Sequence, residues 1–231
     1  MPIIGISCGY RNKTEDKVGI QSNYIDVIKQ AGGTPVILPP QLTKDNIKIL
    51  GDCVNGILLS GGADINPLFY NKEPDFNLNR IDPSRDEYEI ELVKWCLKNK
   101  IPLLAICRGM QLLNIVCGGT IIQNLSNAYL KHRQNTAGYY PTHSVILNRD
   151  TILLKIYGVR EIKVNRFHHQ AIDNIGSNLI IAARANDDII EGLVVKDHPF
   201  AVGVQWHPEK MAHSNQGQNK IFDKFIEKCC N

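Results

Sequence analysis

Apolar positions along the chain fall into short unbroken bursts separated by stretches with helical spacing. Ile3-Ile4-Gly5-Ile6-Ser7-Cys8 is an isoleucine-rich run and predicts a buried strand. Tyr24, Val27, Ile28 and Ala31 then recur at i, i+3, i+4, i+7, one face of a helix that Gly32-Gly33 stops. Thr34 to Leu38 predicts a second strand, closed by Pro39-Pro40, and a short helix follows around 43–50. Gly56 to Ser60 is a third apolar run and leads straight into Gly61-Gly62. Residues 61–83, with three prolines, predict a long loop. Ser84 is the expected cap of the next helix, with Glu87 completing a capping box and Tyr88, Leu92, Trp95 and Cys96 on its face. Ile101 to Ile106 is a fourth strand, and residues 108–117 form a helix that is apolar nearly all round.

This alternation of strand and helix implies a parallel sheet with right-handed crossovers. The second half changes character. Val145–Leu147, Glu161–Val164, Leu179–Ala183, Ile189–Val195 and Phe200–Trp206 predict strands with few helices between them, some of them antiparallel additions. A last helix carries Ile221, Phe222, Phe225, Ile226 and Cys229 on one face. No repeat, linker or low-complexity tract interrupts the chain, so one domain over 1–231 is expected.

Composition narrows the function classes. At 231 residues, 43% hydrophobic and 21% charged, the chain is ordinary globular protein, long enough to bury about 70% of its unfolded surface without staples. A net charge of +3 with no basic run argues against nucleic acid as a partner. No apolar stretch is long enough to span a membrane, and the first one has no basic flank, so no secretory leader is expected. Seven cysteines without a CxxC pair read as reduced thiols in the cytoplasm. Cys8, Cys53, Cys96 and Cys117 lie in apolar periods and are the expected core thiols.

Cys107 is different. In Ala105-Ile106-Cys107-Arg108-Gly109-Met110-Gln111 a strand delivers a cysteine at a sharp turn and a helix starts at once, the design of a nucleophile elbow with sulfur for oxygen. Small residues on either side, Ala105 and Gly109, let strand and helix approach. The helix N-terminus lowers the thiol pKa, and the Arg108 N–H can donate to an oxyanion. A buried thiol at a strand end is the plain alternative. A thiolate enzyme needs a base with an orienting group, and His207-Pro208-Glu209 supplies both if the segment is extended, since i and i+2 then share a side. Ser60-Gly61-Gly62-Ala63-Asp64 follows a buried strand and lets backbone approach a ligand. It matches neither phosphate-loop pattern.

Together and in this order these segments resemble the class I glutamine amidotransferase superfamily. Its nucleophile motif is G-x-C-x-G-x-Q, with His-Pro-Glu following after a long interval. Here His207 lies 100 residues after Cys107. The closer resemblance is to the γ-glutamyl-γ-aminobutyrate hydrolase-like family, peptidase family C26. It is carried also by Ser60 to Pro67 with Tyr70, Arg85-Asp86, Gly118-Gly119-Thr120 with Gln123, Val164-Asn165, Phe167-His168-His169-Gln170 and Gln205-Trp206. Ala105 replaces the motif's usual glycine, and Arg166 stands where serine is common.

The resemblance implies a flavodoxin-like α/β sandwich with a central, mostly parallel sheet. It implies Cys107 as nucleophile, His207 as general base and acid, and Glu209 as orienting carboxylate. Gly62 and Arg108 N–H groups would hold the oxyanion. Gly61, Gln111, His168, His169 and Gln170 would line the substrate site, with Gln111 on the γ-glutamyl end. It implies a small γ-glutamyl substrate and no cofactor or metal, and leaves room for a homodimer. Hydrolysis of a γ-glutamyl amine, such as the γ-aminobutyrate adduct, is the leading activity. A glutaminase subunit feeding ammonia to a synthetase and a non-enzymatic binding protein are the alternatives.

Overall fold

A computed structural model describes residues 1–11, 17–125 and 134–230. Its frame is a nine-stranded sheet. In chain order the strands are β1 (Ile3–Ser7), β2 (Thr34–Leu38), β3 (Gly56–Leu59), β4 (Leu103–Ile106), β5 (His143–Leu147), β6 (Glu161–Val164), β7 (Leu179–Ala185), β8 (Ile190–Val195) and β9 (Ala201–Val204). Their spatial order is β2-β1-β3-β4-β9-β8-β7-β5-β6. The first five in that order pair in parallel, and β9 returns from the second half of the chain to lie beside β4. From β9 outward every pairing is antiparallel. The α/β sandwich with an antiparallel extension is thus as the pattern predicts.

Helices α1 (Ser22–Gln30), α2 (Lys44–Leu50), α3 (Pro83–Asn99), α4 (Arg108–Val116), α5 (Ile152–Tyr157), α6 (Pro208–Met211) and α7 (Lys220–Cys229) complete the frame. One buried cluster joins α1, α5 and α7 to β1, β4, β5 and β9, and a second joins α2, α3 and α4 to β3, β4 and β8. No helix among the described residues is long and apolar enough to cross a membrane.

Three expectations are corrected. Helix α3 begins at Pro83, not after Ser84, because Asp82 accepts the Arg85 N–H at 3.2 Å and proline is favoured at the first helical position. Cys53 is exposed in the turn after α2, and Cys117 is half-buried at the end of α4. His207 and Glu209 do not lie on an extended strand end. His207 is the N-cap of α6, and Glu209 stands in that helix's first turn.

Candidate active site

The parallel half of the sheet brings three chain segments to one edge, because β3, β4 and β9 are neighbours and all three end there. Ser60-Gly61-Gly62 follows β3, Cys107 follows β4, and His207 stands three residues beyond β9. Cys107 has φ +52° and ψ −107°, the turned-out backbone of an elbow. Its own N–H donates to the Val204 carbonyl at 2.7 Å, tying the turn to β9. Gly109 is required by contact. A Cβ there would stand 2.7 Å from both the Leu59 Cβ and the Leu59 carbonyl oxygen.

His207 Nδ1 lies 2.7 Å from Glu209 Oε1, so the other ring nitrogen is left for Cys107, with which His207 also hydrogen-bonds. Asn165 fixes the backbone of His207 from both sides, accepting its N–H at 2.8 Å and donating to its carbonyl at 2.9 Å. Burial pushes the Cys107 thiol up. The charge of His207, its hydrogen bond and the charge of His168 overcome that and hold the thiol below its ordinary value. Burial pulls His207 down, but Glu209 and the thiolate raise it to about 10. The two shifts run in opposite directions, and both favour a thiolate beside an imidazolium. Gln205 Nε2 adds a donor to Cys107 Sγ at 3.4 Å.

Gly61 and Gly62 pack so closely that side chains would collide. A Cβ on Gly61 would meet His207 Cε1 at 2.8 Å, and one on Gly62 would meet Arg85 Nη1 at 2.2 Å. The Gly61 N–H donates to the Tyr24 hydroxyl at 2.9 Å, and burial together with the nearby Glu209 carboxylate keeps that hydroxyl protonated. The Gly62 N–H has no partner among the described residues. The Arg108 side chain turns away from the thiol to meet Glu89 and Asp86, so its backbone alone faces the elbow. Burial would raise the Glu89 carboxyl, but the Arg108 and Arg85 guanidinium groups hold it below the ordinary carboxylate range.

A cavity of about 420 Å³ opens over Cys107 and His207. Gly61, Gly62, Tyr10, Tyr24, Phe167 and four cations, Arg11, Arg80, Arg85 and Lys210, line it, with no acidic residue among the described lining. Four of the five residues expected to line the substrate site are not on this wall. Gln111 is buried and donates to Gln205 Oε1 at 3.1 Å and the Gln170 carbonyl at 3.3 Å, so it braces the residue that bonds the sulfur. His168 Nδ1 lies 2.9 Å from the Gln170 carbonyl, and its Nε2 lies 3.5 Å from Glu191, so Gln170 and His168 are both interior. His169 turns the other way, toward Asp64 at 2.9 Å and Asn79 at 2.7 Å. Among the described residues no group of His, Cys, Asp and Glu is arranged to hold a metal. Tyr24 and Arg85 carry no site role in the sequence reading. One reads there only as a helix-face residue, the other only as part of a motif.

The peptidase C26 family model matches residues 2–209. YvdE of Lactococcus lactis, named for its likeness to glutamine amidotransferases, is 37% identical over 208 residues, covering 89% of this chain and 86% of its own. The γ-glutamyl-γ-aminobutyrate hydrolase PuuD of Escherichia coli is 31% identical, with 99% of this chain and 93% of that protein aligned. A solved glutamine amido transferase of Methylobacillus flagellatus has a TM-score of 0.67 at 14% identity, covering 98% of this chain and 94% of its own, a likeness of fold.

Proposed function

The chain belongs to the peptidase C26 family, and from that premise we propose that it is a thiol hydrolase of γ-glutamyl amides. The observation that carries the reading is the Cys107 elbow in contact with an imidazole held 2.7 Å from a buried carboxylate. The Cys107 thiolate attacks the γ-carbonyl carbon and forms a C–S bond. The carbonyl oxygen takes the electron pair and lies between the Gly62 and Arg108 N–H groups. Collapse breaks the C–N bond as His207 gives its proton to the departing amine. His207, now neutral, takes a proton from water. The hydroxide adds to the thioester and releases glutamate, and the thiolate and imidazolium are restored.

The cavity over the sulfur favours a leaving amine that itself carries a carboxylate, since its charged lining is cationic. That chemistry matches the name of the Escherichia coli relative. The name of the Lactococcus lactis relative favours a second reading, a glutaminase passing ammonia to a synthetase.

One assay separates them. Purified protein alone is given glutamine and a panel of γ-glutamyl amines, and glutamate is measured. The hydrolase reading expects release from an amine-acid adduct faster than from glutamine. Cys107→Ala is expected to lose at least about 10⁴-fold in kcat while keeping its fold. Silence on every γ-glutamyl amine, with glutaminase activity appearing only beside a synthetase, would overturn it.

A further inference from the structure

Behind the glycine loop lies a cluster of four buried charges that the steps above do not use: Arg85, Asp86, Glu89 and Arg108. Its net charge is zero. Arg85 is the member that touches the loop. Its Nη2 donates to the Ser60 carbonyl and the Ser60 hydroxyl, both at 2.9 Å, and its Nη1 donates to the Gly61 carbonyl at 3.1 Å. Its Nε is held by Glu89 Oε1 at 2.8 Å. The other oxygen of the same carboxylate takes Arg108 Nη1.

Described peptide bonds are all trans. In a trans peptide the carbonyl of one residue and the N–H of the next point in opposite directions. A guanidinium that draws the Gly61 carbonyl inward therefore turns the Gly62 N–H outward. The loop that carries this N–H borders the thiol, since a Cβ on Gly61 would meet both His207 and Cys107. Glu89 couples this to the second donor, because the residue it grips, Arg108, supplies the other N–H.

We infer that Arg85 is the positioning residue of the oxyanion hole: it aims the Gly62 N–H by holding the Gly61 carbonyl, with Glu89 setting the two donor-bearing residues against each other. The inference rests on the proposed roles of Cys107, Gly62 and Arg108, but not on the γ-glutamyl substrate. A hole held from within the chain is complete before any partner or substrate arrives.

The test compares two reactions of Cys107. Iodoacetamide alkylates the thiolate by displacing iodide at a CH₂ carbon, and no charge develops on an oxygen. p-Nitrophenyl acetate acylates the thiolate through a tetrahedral oxyanion and releases p-nitrophenolate. Loss of an oxyanion donor costs about 10²–10³-fold. Misaiming one is expected to slow acylation by Arg85→Gln about 10- to 100-fold. Alkylation at the same thiol should change by less than about 3-fold, as mass spectrometry of the labelled peptide would verify. Arg85→Gln leaves the cluster one negative charge in excess and can fail to fold. Arg85→Lys keeps the charge and loses the fork, and should show the same split to a smaller degree.

Acylation that stays at the wild-type rate in a folded Arg85 variant would sink the inference, as would acylation and alkylation falling together. A residue that merely bound a substrate carboxylate would leave acylation by this uncharged ester untouched. Wild-type protein that is acylated at Cys107 yet hydrolyses no γ-glutamyl amide would remove the substrate assignment. The acylation-to-alkylation split in the variants would still support the clamp.

Discussion

At the residue scale, the charge state of Cys107 is set by a contest between burial and its neighbours. Burial opposes the thiolate, and His207 more than offsets it. Because the thiol is lowered and His207 is raised, the ion pair occupies the window between them. Below it Cys107 is protonated. Above it His207 loses the proton that the proposed reaction gives to the leaving amine. The alkylation rate of Cys107 should therefore rise with pH through a midpoint below the ordinary thiol value of about 8.5. In His207→Ala burial acts with little opposition, and the midpoint should move above that value. An unchanged midpoint would mean that another group, such as His168, holds the thiolate. The cysteine and the His-Pro-Glu segment are readable in the sequence because the chemistry needs them within a few residues of an elbow or of each other. Tyr24 and Arg85 are not readable in this way. Gly61, to which both bond, lies 37 residues from Tyr24 and 24 from Arg85, and no spacing rule reaches that far.

Elements were legible wherever one period persisted long enough. The strand before Cys107 declares itself by unbroken apolar positions and the helix over 108–117 by a surface apolar nearly all round, and both lie close to where they are expected. Ile152–Tyr157 does not declare itself. Six residues, mostly apolar, fit a buried strand as well as a helical turn and a half. The cap expected at Ser84 misses by two residues, because Asp82 caps the helix and Pro83 takes its first position. Cys53 looked interior beside Val54, but Gly51, Asp52 and Asn55 around it make a turn. The contact between α4 and β3 supplies a prediction at this scale. Replacing a helical glycine by alanine ordinarily stabilises by about 1 kcal/mol. In Gly109→Ala the added methyl meets backbone of Leu59 that cannot swing away. Overpacking of this kind costs about 1–3 kcal/mol. Thermal denaturation should show a lower Tm, with kcat reduced as the elbow shifts. A higher Tm would mean that helix propensity outweighs the contact.

Over the whole molecule, the nine-stranded sheet gathers site segments that lie 100 residues apart in the chain. The antiparallel excursion through β5, β6, β7 and β8 ends when β9 docks in the slot beside β4. Pattern alone predicts that some strands of the second half are antiparallel. It does not reveal that the last of them returns to the parallel set, because a strand buried on both faces reads the same in either direction. The fold is thus legible as a class, and the closure that assembles the site is not. That closure has a consequence for how the molecule opens. The Cys107 N–H is bonded to Val204 at 2.7 Å, between two central strands. Breaking that bond requires separating β4 from β9, which splits the sheet near its middle. In hydrogen–deuterium exchange the amide of Cys107 should then belong to the slowest class, with an opening free energy equal to that of denaturant unfolding. Faster exchange there would reveal local opening at the elbow. If it is slow, the thiol stays assembled with His207 until the whole protein unfolds, and urea should abolish activity and structure at the same midpoint.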